Sequence, residues 1–124
     1  MIKKFADEST LARRAQQAYL VLIGLAHNRQ TITYGDLSVH YMDYGHGGIL
    51  AAVLDRIMRW CALNKLPPLT ALVVNQDSGL PGDGLVTVAP ENVPAEQYAA
   101  FKFNWFSIIP ATAEELEACA GVKV

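Results

Sequence analysis

Apolar positions along the chain form two long helical patterns. Over Leu11–His27 apolar residues recur every three or four positions, which predicts an amphipathic helix with one broad buried face. Asp7 or Ser9 can cap its start, and the polar residues 28–30 end it. A similar pattern predicts another long helix over residues 48–64. Since each apolar stripe needs a partner, we expect these helices to pack together.

Between these two patterns lies a shorter helical segment. Thr33 and Asp36 have the spacing of a capping box, which predicts a short helix over residues 34–41. The glycine-rich residues 43–48 then break it, because Gly is costly inside a helix. The resulting order is helix, short helix, turn and long helix, which is typical of a helix-turn-helix.

The next segment predicts a β-hairpin. Pro67 and Pro68 exclude helix, and the apolar residues 69–75 are typical of a strand. The Gly-rich residues 79–84 predict a turn, and residues 85–89 the returning strand. A hairpin after three helices is the order of a winged helix.

The C-terminal part is predicted to extend this core. Residues 94–103 favour a short helix, and residues 104–109 a further strand. Thr112 and Glu115 form a second capping box, which opens a terminal helix that stops near Gly121.

Length and composition fit one domain. The chain has 124 residues, of which 52% are hydrophobic and 18% charged, which argues against disorder. We therefore expect a single α/β (α+β) domain over residues 1–124. It would have a winged-helix-like core over residues 10–90 and a C-terminal extension over residues 91–124.

Charge is divided unevenly along the chain. Residues 1–66 carry eight Lys and Arg against five Asp and Glu, whereas residues 67–124 carry two against seven. This division permits a nucleic-acid face on the first half, but it lacks the dense basic stripe of strong phosphate binding. Two cysteines without a CxxC pattern favour buried thiols in a reducing compartment, and no apolar run is long enough to span a bilayer. A cytoplasmic protein with no membrane partner is expected.

Several motifs together carry a resemblance to a known family. Thr33-Tyr34-Gly35-Asp36-Leu37, the glycine-bearing loop, the long apolar helix and Leu66-Pro67-Pro68-Leu69 resemble the C-terminal winged-helix domain of alkylguanine-DNA alkyltransferases and alkyltransferase-like proteins. The resemblance covers about residues 15–90. It implies that Tyr34 and residues 45–54 are where DNA contact would map.

One motif of that family is missing. Its Pro-Cys-His-Arg would follow the Pro-Leu segment, where this chain has Thr70-Ala71-Leu72-Val73-Val74-Asn75. Alkyl transfer needs an activated thiolate with a neighbouring base, so this activity is excluded. We expect a protein that is not an enzyme and uses no cofactor.

Basic and aromatic residues near the motif are candidate nucleic-acid contacts, because guanidinium groups bind phosphate and guanine edges. The candidate contacts are Tyr34, Tyr44, His46, Arg56, Arg59 and Lys65, with Arg13, Arg14 and Arg29 as further phosphate contacts. The alternative is an ordinary solvated surface.

Three other patterns favour structural over chemical roles. His40, Asp43 and His46 offer metal ligands but no firm fourth, so surface turn residues are favoured over a metal site. A nucleophile, base and acid could be drawn from Ser38, His40 and Asp36. Their spacing on a short helix points the three side chains in different directions, so a catalytic triad is not favoured. Residues 79–84 precede a predicted strand and not a helix, so a turn is favoured over a phosphate loop.

The aromatic residues near the C-terminus have two interpretations. Core packing is the first, and a protein interface in an acidic region is the second. The interface set is Tyr98, Phe101, Trp105 and Phe106.

Two functions are therefore expected. The first is a non-enzymatic winged-helix protein that acts on or beside double-stranded DNA. A homodimer is possible, since it would double the modest positively charged face. The alternative is a protein-binding inhibitor, such as an immunity or anti-defence protein, whose acidic, aromatic C-terminal half covers a basic nuclease or toxin.

Overall fold

The computed structural model describes residues 1–43 and 48–124. The first helix, α1, spans Leu11–His27 as expected, with Ala15, Tyr19 and Leu22 on its buried face. Its N-cap is Thr10, whose hydroxyl accepts from the Arg13 amide at 3.1 Å, so the prediction of Asp7 or Ser9 as cap was wrong. Thr10 is the residue directly before the first helical turn, where a side-chain oxygen can reach those amides.

The short central helix is present but changes its winding. A two-residue strand, β1 (Ile32–Thr33), leads into α2 (Tyr34–Asp36), which continues as a π-helical turn over Leu37–Tyr41. The Thr33 hydroxyl accepts from the Asp36 amide at 3.1 Å, but the Thr33 amide makes no bond to the Asp36 carboxylate, so only half of the predicted capping box forms. The long helix α3 then spans Gly48–Leu63.

The predicted wing is absent, and the winged-helix fold class was wrong. Residues Leu69–Leu72 form a 3₁₀ helix, followed by the short strand β2 (Val73–Val74). This strand pairs in parallel with β1, with Ile32 opposite Val73 and Thr33 opposite Val74. The domain is therefore mostly helical with a small parallel sheet.

Local hydrogen bonding explains why no hairpin forms. In the predicted return strand, the amides of Leu85 and Val86 donate to the carbonyls of Gly82 and Gly84, so they close turns and not a ladder. The side chain of Val86 is also exposed, so an extended conformation of this segment gains no stabilisation from burying that side chain. The apolar run before it is buried on all sides, a pattern that fits a packed 3₁₀ turn as well as a strand.

The C-terminal part adds two helices to the domain. Helix α4 spans Val93–Lys102 and α5 spans Ala113–Ala118. The second capping box is present, because Thr112 and Glu115 exchange two hydrogen bonds of 3.1 Å. The terminal helix ends before the predicted Gly121, which adopts a left-handed φ of 72° in the following turn.

The strand predicted over residues 104–109 was also wrong. Trp105–Ser107 forms a 3₁₀ turn, because the Asn104 side chain accepts from the Phe106 amide at 3.2 Å.

A single core surrounds α1. Helices α3, α4 and α5 and the 3₁₀ helix at Leu69–Leu72 all pack against it, and α3 therefore meets α1 as the two sequence patterns predict. Trp105 and Leu116 bring the C-terminal segment into the same core. Within residues 1–43 and 48–124, no helix has the length and apolar character to cross a bilayer.

Candidate functional site

A cavity of about 500 Å³ opens between α3, α2 and the segment after β2. Helix α3 supplies an apolar wall through Leu54 and Met58, and the opposite walls come from Tyr34 and Thr70. We call it the Tyr34 cavity. Among the described residues, its lining consists of Tyr34, Ala51, Leu54, Asp55, Met58, Thr70, Asn75, Gly82, Gly84 and Leu85.

A fixed loop covers one side of this cavity. The Tyr34 hydroxyl accepts from the Gly82 amide at 2.8 Å, which fastens the loop to α2. A Cβ atom at Gly82 would lie 3.2 Å from that hydroxyl oxygen, so a larger residue would strain the contact. Gly79, with φ of 69°, donates to the Asn75 carbonyl and closes the turn that brings the loop back. The predicted turn at residues 79–84 is thus present as a cover of the cavity.

The Tyr34 cavity combines apolar walls with few polar groups. Among the described residues, its uncharged polar side chains are those of Tyr34, Thr70 and Asn75, and its carboxylate is that of Asp55. The Asp55 carboxylate accepts from Arg59 Nε at 2.8 Å, so part of its charge is balanced within the fold. Ligand sites in proteins have this size and this balance of apolar walls and few polar groups.

Two of the predicted nucleic-acid contacts are engaged in ion pairs. Arg56 donates to both carboxylate oxygens of Glu117, at 2.9 and 3.2 Å, and to the Ala52 carbonyl. Arg56 also lowers the pKa of the Glu117 carboxyl. Arg59, besides its pair with Asp55, donates to the Val122 carbonyl. These two arginines therefore hold the C-terminus against α3, and a phosphate would have to compete with those contacts.

The remaining basic candidates differ in how far they are engaged. Lys65 is exposed just beyond α3, and Arg29 is exposed just beyond α1. Arg13 pairs with Glu8 at 3.1 Å, and Arg14 donates to the Met42 carbonyl at 2.7 Å. The predicted contacts Tyr44 and His46 lie outside the described residues.

The residues of the metal and catalytic hypotheses are not brought together into a site. His40 Nε2 lies 3.7 Å from an Asp36 carboxylate oxygen, and His46 of the metal hypothesis is outside the described residues. In the part of the chain that the structure describes, no three His, Cys, Asp or Glu side chains form a metal-binding group. Ser38 is buried whereas the His40 imidazole is largely exposed, so these two side chains have different surroundings.

The aromatic set divides into core and surface residues. Trp105 is 2% exposed, and its indole N–H donates to the Ala100 carbonyl at 2.8 Å. Phe101 packs against the core from its edge. Tyr98 and Phe106 are exposed, at 56% and 61%.

Phe106 belongs to an exposed apolar surface along α1. Its ring packs edge-on against His27, with the ring centroids 5.4 Å apart, and Gln16 donates to the Ala111 carbonyl. The segment between Phe106 and Ala111 therefore runs along α1 past Leu20. Because Leu20, Phe106 and Ile109 are all exposed large apolar residues, we call this surface the Phe106 strip.

Sequence reasoning indicated two walls of the Tyr34 cavity, because the family resemblance pointed to Tyr34 and to residues 45–54, which include Ala51 and Leu54. Tyr34 was singled out in the motif, but Thr70 and Gly82 were not proposed as site residues. Thr70 lies within an apolar run, and no spacing relates it to Tyr34. The cavity arises from tertiary packing between segments distant in sequence.

Comparisons with protein-family models, with curated proteins and with solved structures found no match to this chain. Its function is therefore inferred from its own residues.

Proposed function

We propose that this protein recognises nucleic acid without catalysing a reaction, and that the Tyr34 cavity holds one nucleobase turned out of its stack. The observation that carries the proposal is the cavity itself. Its apolar walls suit the faces of a planar ring, and the Tyr34 and Thr70 hydroxyls suit its polar edge. Proteins that read an extruded base use this combination.

The motif resemblance maps DNA contact to the same site, although the chain does not adopt the winged-helix fold of that family. Thr33-Tyr34-Gly35-Asp36-Leu37 resembles the segment that opens the DNA-binding motif of alkyltransferase-like proteins. Tyr34 of this segment is a wall of the cavity and fastens its covering loop. Both cysteines are free and buried, which favours work in the reducing cytoplasm.

The distribution of basic side chains favours only weak contact with the DNA phosphate backbone. Arg56 and Arg59 are held in ion pairs, which leaves Lys65 and Arg29, among the predicted contacts, as exposed cations at helix ends. We therefore propose that binding to a fully paired duplex is weak and that the extruded base adds most of the selectivity. A second copy of the chain on the same double-stranded DNA would double the phosphate contacts.

A binding assay with a cavity-filling variant tests this proposal. Fluorescence anisotropy compares labelled duplexes that are fully paired or carry one central mismatch. We expect the mismatched duplex to bind about tenfold more tightly, because its base is less costly to extrude. Ala51 is exposed and lines the cavity, so Ala51→Phe should remove the preference.

Ala95→Phe is the matched control, because Ala95 is an exposed helical alanine outside the cavity lining. It should bind like the wild type. Equal affinity of the wild type for paired and mismatched duplexes, or an unchanged preference in Ala51→Phe, would refute the proposal.

The Phe106 strip supports a second candidate function, a protein-binding inhibitor. Exposed aromatic and aliphatic residues are frequent anchors in interfaces, and the surrounding half of the chain is acidic. A basic nuclease or toxin is the partner that this charge suits.

Calorimetric titration against basic nucleases or toxins encoded beside this gene tests the inhibitor function. We expect one-to-one binding that is lost in the double variant Phe106→Ser, Ile109→Ser. Val39→Ser, which alters another exposed apolar residue, should leave the binding intact. Binding that survives the double variant would exclude the strip as the interface.

A further inference from the structure

Thr70 carries a buried hydroxyl that the fold does not use. The residue is 5% exposed, and its Oγ1 has no hydrogen-bond partner within residues 1–43 and 48–124. Its neighbours Leu69, Ala71 and Leu72 are apolar and fully buried. An unpaired hydroxyl in such surroundings lowers stability, and Val would fill nearly the same space without that cost. Thr70 also lines the Tyr34 cavity, so a rotation about χ1 brings this occluded hydroxyl to a ligand held there.

The backbone around Thr70 is firmly positioned. The Thr70 carbonyl accepts from the Val73 amide, and the Ala71 carbonyl accepts from Gln97 Nε2 at 2.8 Å. The next residues enter β2, which is paired with β1. Because these contacts fix the 3₁₀ helix, the wall that Thr70 contributes to the cavity is held in place before any ligand binds.

The second hydroxyl of the cavity is only partly used. Tyr34 Oη accepts from the Gly82 amide, and within the described residues its own proton has no acceptor. Asp55 is already paired with Arg59. Within the described residues, the uncharged polar side chains of the lining that make no hydrogen bond are those of Thr70 and Asn75, and of these two only Thr70 is buried.

We propose that Thr70 determines which base the Tyr34 cavity accepts, through a hydrogen bond between its hydroxyl and a polar edge atom of the base. The ligand class is a nucleobase with a carbonyl oxygen or ring nitrogen at that edge, as opposed to an apolar ring of the same shape. This inference rests on the proposed function and adds the residue that reads the ligand.

The test combines Thr70 variants with base analogues. Duplexes with each of the four bases mismatched at one central position identify the base that the wild type binds most tightly. The same duplex is then made with the apolar isostere of that base. We expect the wild type to prefer the natural base about tenfold, which is the effect of one hydrogen bond.

Two variants separate the hydroxyl from the shape of the side chain. Thr70→Ser keeps the hydroxyl and should keep the preference. Thr70→Val keeps the shape and should bind the natural base and its isostere equally. Because it removes an unpaired buried hydroxyl, Thr70→Val should also raise the Tm by about 3 °C.

The outcomes distinguish this inference from the function on which it rests. If the wild type binds mismatched duplexes but Thr70→Val keeps the preference for the natural base, the role of Thr70 is overturned while the proposed function stands. A lower Tm in Thr70→Val also overturns it, because the hydroxyl would then stabilise the fold. If the wild type does not prefer mismatched duplexes, the proposed function and this inference both fail.

Discussion

Replacing Trp105 should destabilise the domain far more than replacing its neighbour Phe106. Trp105 is almost fully buried, its indole N–H is bonded to the Ala100 carbonyl, and its ring packs edge-on against Phe103 at 4.7 Å. Burial of roughly 200 Å² at about 25 cal/mol/Å² gives an upper value of about 5 kcal/mol for this side chain. Trp105→Ala should therefore cost about 4 kcal/mol, within the usual range for core aromatics.

Two companion variants define the comparison. Trp105→Phe keeps a ring but leaves the Ala100 carbonyl without its donor, so we expect a cost of about 2 kcal/mol. Phe106→Ala should cost less than about 1 kcal/mol, because most of that side chain is exposed.

Urea denaturation followed by far-UV circular dichroism measures all three free energies of unfolding. A cost for Phe106→Ala as large as that for Trp105→Ala would refute this division of the aromatic residues into core and surface.

Three further predictions follow from hydrogen bonds and pKa shifts. Arg56 lowers the pKa of Glu117 below its usual 4.5, so their pair stabilises the fold above that pH and is lost as pH falls through the lower native pKa. Urea titrations between about pH 3 and 7 should show Glu117→Gln about 0.5 kcal/mol less stable at neutral pH and equal in acid, and a constant difference would contradict this. Burial raises the pKa of Cys61 to about 12, so thiol reagents at about pH 8 should label it only after unfolding, as mass spectrometry would show. Tyr34→Phe removes the acceptor of the Gly82 amide and should speed its hydrogen exchange about tenfold, whereas an unchanged rate would exclude that bond.

The helices were the most predictable part of the fold. The apolar periodicity of Leu11–His27 is a local signal, and α1 has those bounds. Capping by Thr33 and Thr112 depends only on residues three positions away, and both caps were predicted correctly. Packing of α3 on α1 follows because each apolar stripe needs a partner.

The sheet was not predictable in the same way, because strand pairing depends on distant segments. Val73 and Val74 pair with Ile32 and Thr33, a contact that no local pattern indicates. Residues 85–89 include the β-branched Val86, Thr87 and Val88, but the amides of Leu85 and Val86 close local turns. The hairpin prediction therefore failed where secondary structure depends on tertiary context.

The candidate site was predictable only through its motif. Tyr34 was named because it belongs to a recognisable segment, whereas Thr70 resembles any residue of a buried run. Arg56 was predicted to contact nucleic acid. Its ion-pair partner Glu117 lies 61 residues further along the chain, so sequence spacing gave no sign of it.

The most direct test of the central claim is an amide NMR titration of the protein with a duplex that carries one central mismatch. If the Tyr34 cavity holds the extruded base, chemical-shift changes should concentrate at Tyr34, Ala51, Thr70 and Gly82. They should be much smaller with the fully paired duplex. Changes confined to the Phe106 strip, or the same changes with both duplexes, would contradict the account.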